Sequence, residues 1–198
     1  MKATGVVRRI DDLGRVVIPK EIRKTLRIKE GEPLEIFTDR EGQVILKKYS
    51  PIGELSEFAT GYAETLSKTT GHIACITDKD TVIAVSGGSK KEYLEQNVSD
   101  ELEQLMEDKE IYTSNENSNV SVPITKNDSN NKKYNAQVVY PIISNGDTIG
   151  TVILLSKEAN TKMNEVETKI AQSAATFLGS QMLSLIHISE PTRRSWIS

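Results

Sequence analysis

One cysteine, Cys75, is all the chain offers in 198 residues. A lone thiol closes no internal disulfide and builds no zinc site by itself, so a disulfide framework and a Cys-rich metal domain are both excluded. Aromatic residues are scarce at 5%, which argues against the wide stacking platforms that hold single-stranded nucleic acid. No apolar run approaches the roughly 20 residues that cross a bilayer; the longest are short, such as Val152-Ile153-Leu154-Leu155. Between Met1 and Arg8-Arg9 there is no apolar core of a secretory signal, so the expectation is a cytoplasmic protein without a membrane partner. The two histidines are His72 and His187. With His187 in a tail read as non-native, nucleophile, base and orienting group cannot be assembled from Cys75 and His72 in the same short strand, so no enzyme, metal or cofactor is expected.

What is present is enough apolar residue, 37%, against 27% charged, for one ordinary domain or two small ones. The formal net charge of −3 averages two unlike parts. Residues 1–50 hold 12 Lys and Arg against 8 Asp and Glu, a balance of +4, and residues 51–198 hold 13 against 20, or −7. A basic first segment suits a phosphate-bearing partner, whereas the acidic remainder is repelled by nucleic acid.

The last stretch stands apart. Leu183-Ser184-Leu185-Ile186-His187-Ile188-Ser189-Glu190-Pro191-Thr192-Arg193 resembles the translation of a sequencing-library adapter. Residues 183–198 are therefore set aside as non-native, and His187 and Trp196 with them.

In the first fifty residues, Thr4–Ile10 and Arg15–Ile18 have strand character, joined by Asp11-Asp12-Leu13-Gly14 with Gly14 free to take positive φ. Pro19 is suited to the first position of a helix carrying Ile22 and Leu26 on one face and Arg23, Lys24 and Arg27 on another. Glu30-Gly31 is expected to end that helix. A hairpin of 33–38 and 43–48 then turns at Asp39-Arg40-Glu41-Gly42. Such a ββαββ unit is marginal as a lone core, so Val6, Val16, Ile18, Leu34, Ile36 and Ile45 are expected to need a second copy.

The uninterrupted run Thr4-Gly5-Val6-Val7-Arg8-Arg9-Ile10-Asp11-Asp12-Leu13-Gly14-Arg15-Val16-Val17-Ile18-Pro19, followed by Glu21-Ile22-Arg23-Lys24-Thr25-Leu26, resembles the AbrB-type DNA-binding domain from Lys2 to about Tyr49. The resemblance implies a dimeric swapped-hairpin β-barrel whose basic residues face double-stranded DNA. Transferred position by position, these are Arg8, Arg9, Arg15, Arg23 and Lys24. Guanidinium groups suit phosphates and guanine edges because they donate in a fixed fork, while Lys24 acts as a point charge on phosphate. Arg27, Lys29, Lys47 and Lys48 are weaker candidates. AbrB-type heads also occur in antitoxins of toxin–antitoxin pairs, which stands as the alternative function.

Past Tyr49-Ser50-Pro51, helical spacing of Leu55, Phe58, Ala59, Tyr62 and Leu66 predicts a helix ending near Gly71. Strands are expected at 72–77, 81–86, 120–125, 134–143 and 148–156, the last two joined through Asn145-Gly146. Ser99 is expected to cap a helix with Leu102, Leu105 and Met106 inward. A closing helix over 164–182 would carry Val166, Ile170, Ala174, Phe177 and Leu178 along one side. Ser86-Gly87-Gly88-Ser89 fits a plain turn better than an anion cradle, since it opens no long helix. Cys75, inside an apolar strand, is expected to be a buried inert thiol.

The order of elements makes an α+β chain whose second part resembles a GAF domain, a GAF-like α/β sandwich with a ligand pocket on one sheet face. The cyclic-nucleotide run known for some GAF domains is absent. Head and sensor together, residues 1–182 resemble AbrB-family sporulation regulators. The resemblance implies a forespore transcription factor, activator or repressor, with residues 1–50 as the DNA-binding domain and 51–182 as a GAF-like sensor and oligomerisation domain. It also implies a dimer through residues 1–50, a tetramer through the sensor helices, and an unidentified small-molecule ligand.

Overall fold

A computed structural model describes residues 6–31, 33–50, 56–115, 121–128 and 134–189, with side chains to Gln181. The chain divides into two compact units, Met1–Tyr49 and Ser50–Ser198.

The first unit opens with an extended arm, a tight turn at Asp11–Gly14, a second extended arm and the short helix α1 (Lys20–Thr25). The hairpin of β1 (Leu34–Thr38) and β2 (Val44–Lys48) completes it, in the register Leu34 opposite Lys48 to Thr38 opposite Val44. The two arms expected as strands are not strands: within the described residues 6–10 and 15–18 the first rung, Asp11 N–H to Arg15 O at 3.0 Å, forms and no ladder follows. A two-stranded ribbon with no apolar face to rest on is not stable in water. Val7 is 89%, Leu13 74% and Val17 70% exposed, and the first buried apolar residue of the described chain is Ala59.

Helix α1 differs from expectation at both ends. Pro19 is its N-cap rather than its first residue. The helix stops before Glu30-Gly31, because Arg27 takes a left-handed φ of 53° while Ile28 N–H donates to Arg23 O and Arg27 N–H to Lys24 O. This paired closure satisfies the last carbonyls of the helix.

The second unit is a five-stranded antiparallel sheet, covered on both faces, built from β3 (Ile73–Thr77), β4 (Val82–Ser86), β5 (Tyr112–Ser114), β6 (Ala136–Ser144) and β7 (Asp147–Ser156) in the order β4-β3-β7-β6-β5. The β6–β7 hairpin turns on Asn145 and Gly146, at φ 51° and 84°, the pair of positive angles that a two-residue turn matching strand twist requires. On one face α2 (Ser56–Thr70) and α5 (Glu165–Ser189) pack Ala59, Ala63, Leu66, Ala171, Ala174, Ala175 and Leu178 onto Ala74, Ile76, Val138, Val152 and Leu154. The alternate residues Cys75, Val139, Ile153 and Leu155 face the other side, against α3 (Lys90–Tyr93), α4 (Asp100–Asp108) and Val122, Ile124 and Tyr134. Ser99 caps α4 as expected, accepting from Leu102 N–H at 3.0 Å and donating to Pro123 O at 2.6 Å.

Three expectations change in this unit. The 120–125 strand does not form among its described residues 121–125. Val122 instead gives its N–H to Gln137 Oε1 at 3.0 Å and takes Gln137 Nε2–H at 2.9 Å, so a buried side-chain amide replaces a neighbouring strand. The strand β5 and the short helix α3 have no counterpart among the expected elements. In α5 the inward face includes Ala171 and Ala175, while Val166 and Phe177 are exposed; Phe177 stacks on Tyr62 of α2 at 5.1 Å. Leu55 of the expected second helix and Val120 of the expected strand lie outside the described residues.

Candidate nucleic-acid interface

In the first unit the chemistry gathers around one turn. The Asp11 carboxylate accepts Leu13 N–H at 3.0 Å and Arg15 N–H at 2.7 Å on Oδ1, and Arg15 Nε–H at 2.8 Å on Oδ2. Gly14 N–H closes the turn on Asp11 O, at a φ of 75° that only glycine adopts without strain. Hydrogen bonds from the Arg15 backbone and then from its guanidinium hold the Asp11 carboxyl below the ordinary carboxylate range. Three donors converge on one side chain, so the turn and the arginine are built together.

The five residues expected from sequence to face DNA fall into two groups. Arg8, Arg9 and Arg15 stand exposed on the arms that flank this turn, and Lys24 stands exposed on α1. Arg23 is half-buried, with its Nε enclosed and without a hydrogen-bond partner among the described residues. A buried guanidinium nitrogen without a partner is costly. Arg15 is the member of the set held by a carboxylate, and its partner Asp11 reads from sequence as a turn residue alone. The signal was in the sequence: Asp-x-x-Gly recurs at 39–42, where no arginine follows.

The second unit carries a buried polar cluster on the side of the sheet away from α2 and α5. Asp128 Oδ2 accepts Ile124 N–H at 3.0 Å, Thr125 N–H at 3.2 Å and Tyr134 O–H at 2.7 Å. Burial, then hydrogen bonding to Tyr93 and Asp128, pushes the Tyr134 phenol far above its ordinary range. Burial also raises Tyr93. At Cys75 burial is again the main cause, reinforced by the negative charges of Asp128 and Glu92. Lys157 bonds both Glu92 carboxylate oxygens, at 2.8 and 2.9 Å, and lies over the Tyr93 ring. The Ser86–Ser89 loop is a packed turn. A Cβ on Gly87 would collide with Ser67 and the His72 carbonyl, and one on Gly88 with Ile73, so the glycines are required for close approach. Among the described residues no group of three or more His, Cys, Asp and Glu could hold a metal ion, and no helix is long and apolar enough to cross a membrane.

Residues 54–183 match the profile of the stage V sporulation protein T C-terminal, transcription factor family. Stage V sporulation protein T of Bacillus subtilis (strain 168) is 52% identical over 182 residues, covering 92% of this chain and 99% of that protein. The chain belongs to the stage V sporulation protein T family of transcription factors.

The head has relatives of its own. It is 61% identical over 51 residues to the transition state regulatory protein AbrB of the same organism, across 26% of this chain and 52% of that protein. Residues 7–54 also match the profile of MazE, a bacterial antitoxin. The second unit shares its fold with the GAF domain of an Acinetobacter phosphoenolpyruvate-protein phosphotransferase. That likeness has a TM-score of 0.55 and 11% identity, over 70% of this chain and 87% of that one. A methyl-accepting chemotaxis protein fragment is similar at a TM-score of 0.58 and 13% identity, over 70% and 94%. The fold class is thus α+β, an AbrB-type head followed by a GAF-like unit.

Proposed function

We propose that residues 1–50 form a DNA-binding domain active only as a pair, in which two chains exchange hairpins into one barrel and present Arg8, Arg9, Arg15, Arg23 and Lys24 to duplex DNA. The carrying observation is the absence of any buried apolar side chain among the described residues of the first unit, beside the exposure of Val7, Leu13 and Val17. A protein unit that hides nothing by itself hides its apolar surface against a copy. Pairing also doubles the basic set across two half-sites.

Residues 51–182 serve as the GAF-like sensor and oligomerisation domain, and residues 183–198 are non-native. The exposed Phe58, Val166 and Phe177 on α2 and α5 support tetramer formation through these helices. A shift of either helix would then alter how two head pairs are held. The family places the chain in sporulation, and the proposed setting is the forespore cytoplasm, where it activates or represses genes at the nucleoid. Small-molecule sensing belongs to the sheet face opposite α2 and α5; thermal shift of the full chain against a metabolite panel tests it, and no stabilisation by any compound favours a scaffold role.

DNA binding is tested by titrating duplex with the full chain and its Arg15→Ala and Arg23→Ala variants at several salt concentrations. Each substitution is expected to weaken binding, and Arg23→Ala also to flatten the salt dependence by about one power of salt for each phosphate that is no longer neutralised. Unchanged affinity with an unchanged slope removes those residues from the interface. The match of residues 7–54 to an antitoxin profile favours a second reading for the head alone; a small toxin co-purifying with the chain would support it, and the folded second unit argues against it.

A further inference from the structure

The first unit contains two turns of the same construction, 11–15 and 39–43, that share their Asp and Gly and differ at the other three positions, among them Arg15 against Gln43. At Asp39, Oδ1 accepts Glu41 N–H at 3.0 Å and Gln43 N–H at 2.8 Å. Asp39 N–H donates to Gln43 O at 3.1 Å, Gly42 N–H to Asp39 O at 3.3 Å, and Gly42 has a φ of 80°. Every one of these bonds has its counterpart at Asp11, Leu13, Gly14 and Arg15. The second turn closes without a cation, and its Gln43 side chain reaches Glu41 instead. One carboxylate oxygen is therefore sufficient to build the turn. The other oxygen of Asp11 is surplus to that task, and it takes Arg15 Nε–H at 2.8 Å.

Guanidinium donates through five N–H groups fixed in a plane. With Nε engaged, the side edge of the Arg15 fork is occupied and the two terminal Nη groups extend beyond the Asp11 bond. The Arg15 side chain is 70% exposed, so that end is open to a partner. A pair of terminal Nη groups matches the O6 and N7 acceptors of guanine. The adjacent carboxylate also cancels much of the field by which a bare cation attracts phosphate without regard to sequence.

We infer that Asp11 is a positioning residue that sets DNA specificity, holding Arg15 by its Nε so that the guanidinium meets base edges as an oriented fork rather than as a free cation. The inference rests on the reading that Arg15 faces DNA. It predicts that freeing Arg15 strengthens indiscriminate binding and weakens discrimination, the opposite signs that a merely structural role would not produce.

Asp11→Asn separates the two tasks of the side chain. The amide oxygen still accepts the two backbone N–H groups, while the amide nitrogen now faces Arg15 Nε and cannot accept from it. The full chain is titrated against two duplexes of equal length, one recovered by the wild-type protein from a random-sequence pool and one a scramble of the same composition. Asp11→Asn is expected to lower the melting temperature by no more than the small contribution of an exposed ion pair and to bind the scramble more tightly. Its salt dependence on the scramble should be steeper by up to about one power per protomer, and its preference for the selected duplex lower by about tenfold. Arg15→Lys, which keeps the charge and loses the fork, should lose preference while keeping the salt slope. Asp39→Asn should change neither duplex. An unchanged preference in Asp11→Asn, with Arg15→Ala losing the selected duplex, overturns the positioning role and leaves the DNA-facing reading intact. Parallel loss on both duplexes with a lowered melting temperature assigns Asp11 to turn building alone and also overturns it. Wild-type binding by Arg15→Ala removes Arg15 from the interface, and the inference with it.

Discussion

Gly179 of α5 lies directly against the carbonyl oxygen of Ile143 at the end of β6, so close that a Cβ on Gly179 would fall inside the envelope of that oxygen. Backbone meets backbone there, and neither side can rotate out of the way. Gly179→Ala is therefore expected to destabilise the second unit by about 1–3 kcal/mol despite alanine's better helix propensity. In α2, by contrast, nothing approaches a Cβ on Gly61, and Gly61→Ala should stabilise by about 1 kcal/mol. Urea unfolding of both variants measures the two signs.

Ser99 supports α4 at one atom from two directions, accepting Leu102 N–H and donating to Pro123 O. Ser99→Ala removes the cap and leaves a carbonyl without its donor, at an expected cost of about 1–2 kcal/mol. Ser99→Thr should recover part of it, and the same unfolding experiment compares the three chains.

Cys75 is fully buried, and its thiol is pushed well above the ordinary range by burial and by the charges of Asp128 and Glu92. Thiolate is the reactive form, so the native protein should not react with an aromatic disulfide reagent at neutral pH, whereas the chain in denaturant should react promptly. Prompt labelling of the folded chain would contradict the packing described for β3.

Tyr134 donates to the carboxylate that organises the 124–128 bend. Tyr134→Phe removes one of the donors that Asp128 Oδ2 accepts. The expected loss is about 1–3 kcal/mol, read as a lower melting temperature.

The Asp11 carboxyl, depressed by its Arg15 bonds, gives a pH signature. A carboxyl whose value is lower folded than unfolded contributes stability that is fully present above the unfolded value of about 3.9 and is lost as pH falls through the folded one. A carbon-13 NMR titration of Asp11 should find its midpoint below the ordinary value, and Arg15→Ala should return it toward that value.

Local chemistry is legible wherever the deciding residues sit side by side. Asn145-Gly146 announces its hairpin because few other pairs tolerate two positive φ angles, and Ser99 announces a helix start because its hydroxyl reaches three residues ahead. The misses have partners far away in the chain. The alternation through 120–125 is that of a strand, yet Val122 is paired by the Gln137 side chain, which no local pattern reveals. Val166 and Phe177 keep helical spacing with Ala174 and Leu178, but a face a little rotated, carrying Ala171 and Ala175, meets the sheet. The arms around Asp11 have the composition of strands and lack, within one chain, anything to rest on. In the candidate interface the basic residues are visible as residue types, whereas the Asp11 to Arg15 bond requires the turn geometry.

The bare first unit has a consequence for how such a regulator is read by the cell. If its interior exists only between two chains, its folding is a second-order event, and the fraction able to engage DNA rises with the concentration of the protein itself. Few copies would leave the heads open to proteolysis and silent; many would assemble them together, over a narrower range of dose than independent binding allows. The amount of protein made then becomes an input in its own right, set by its promoter and its turnover before any ligand is bound.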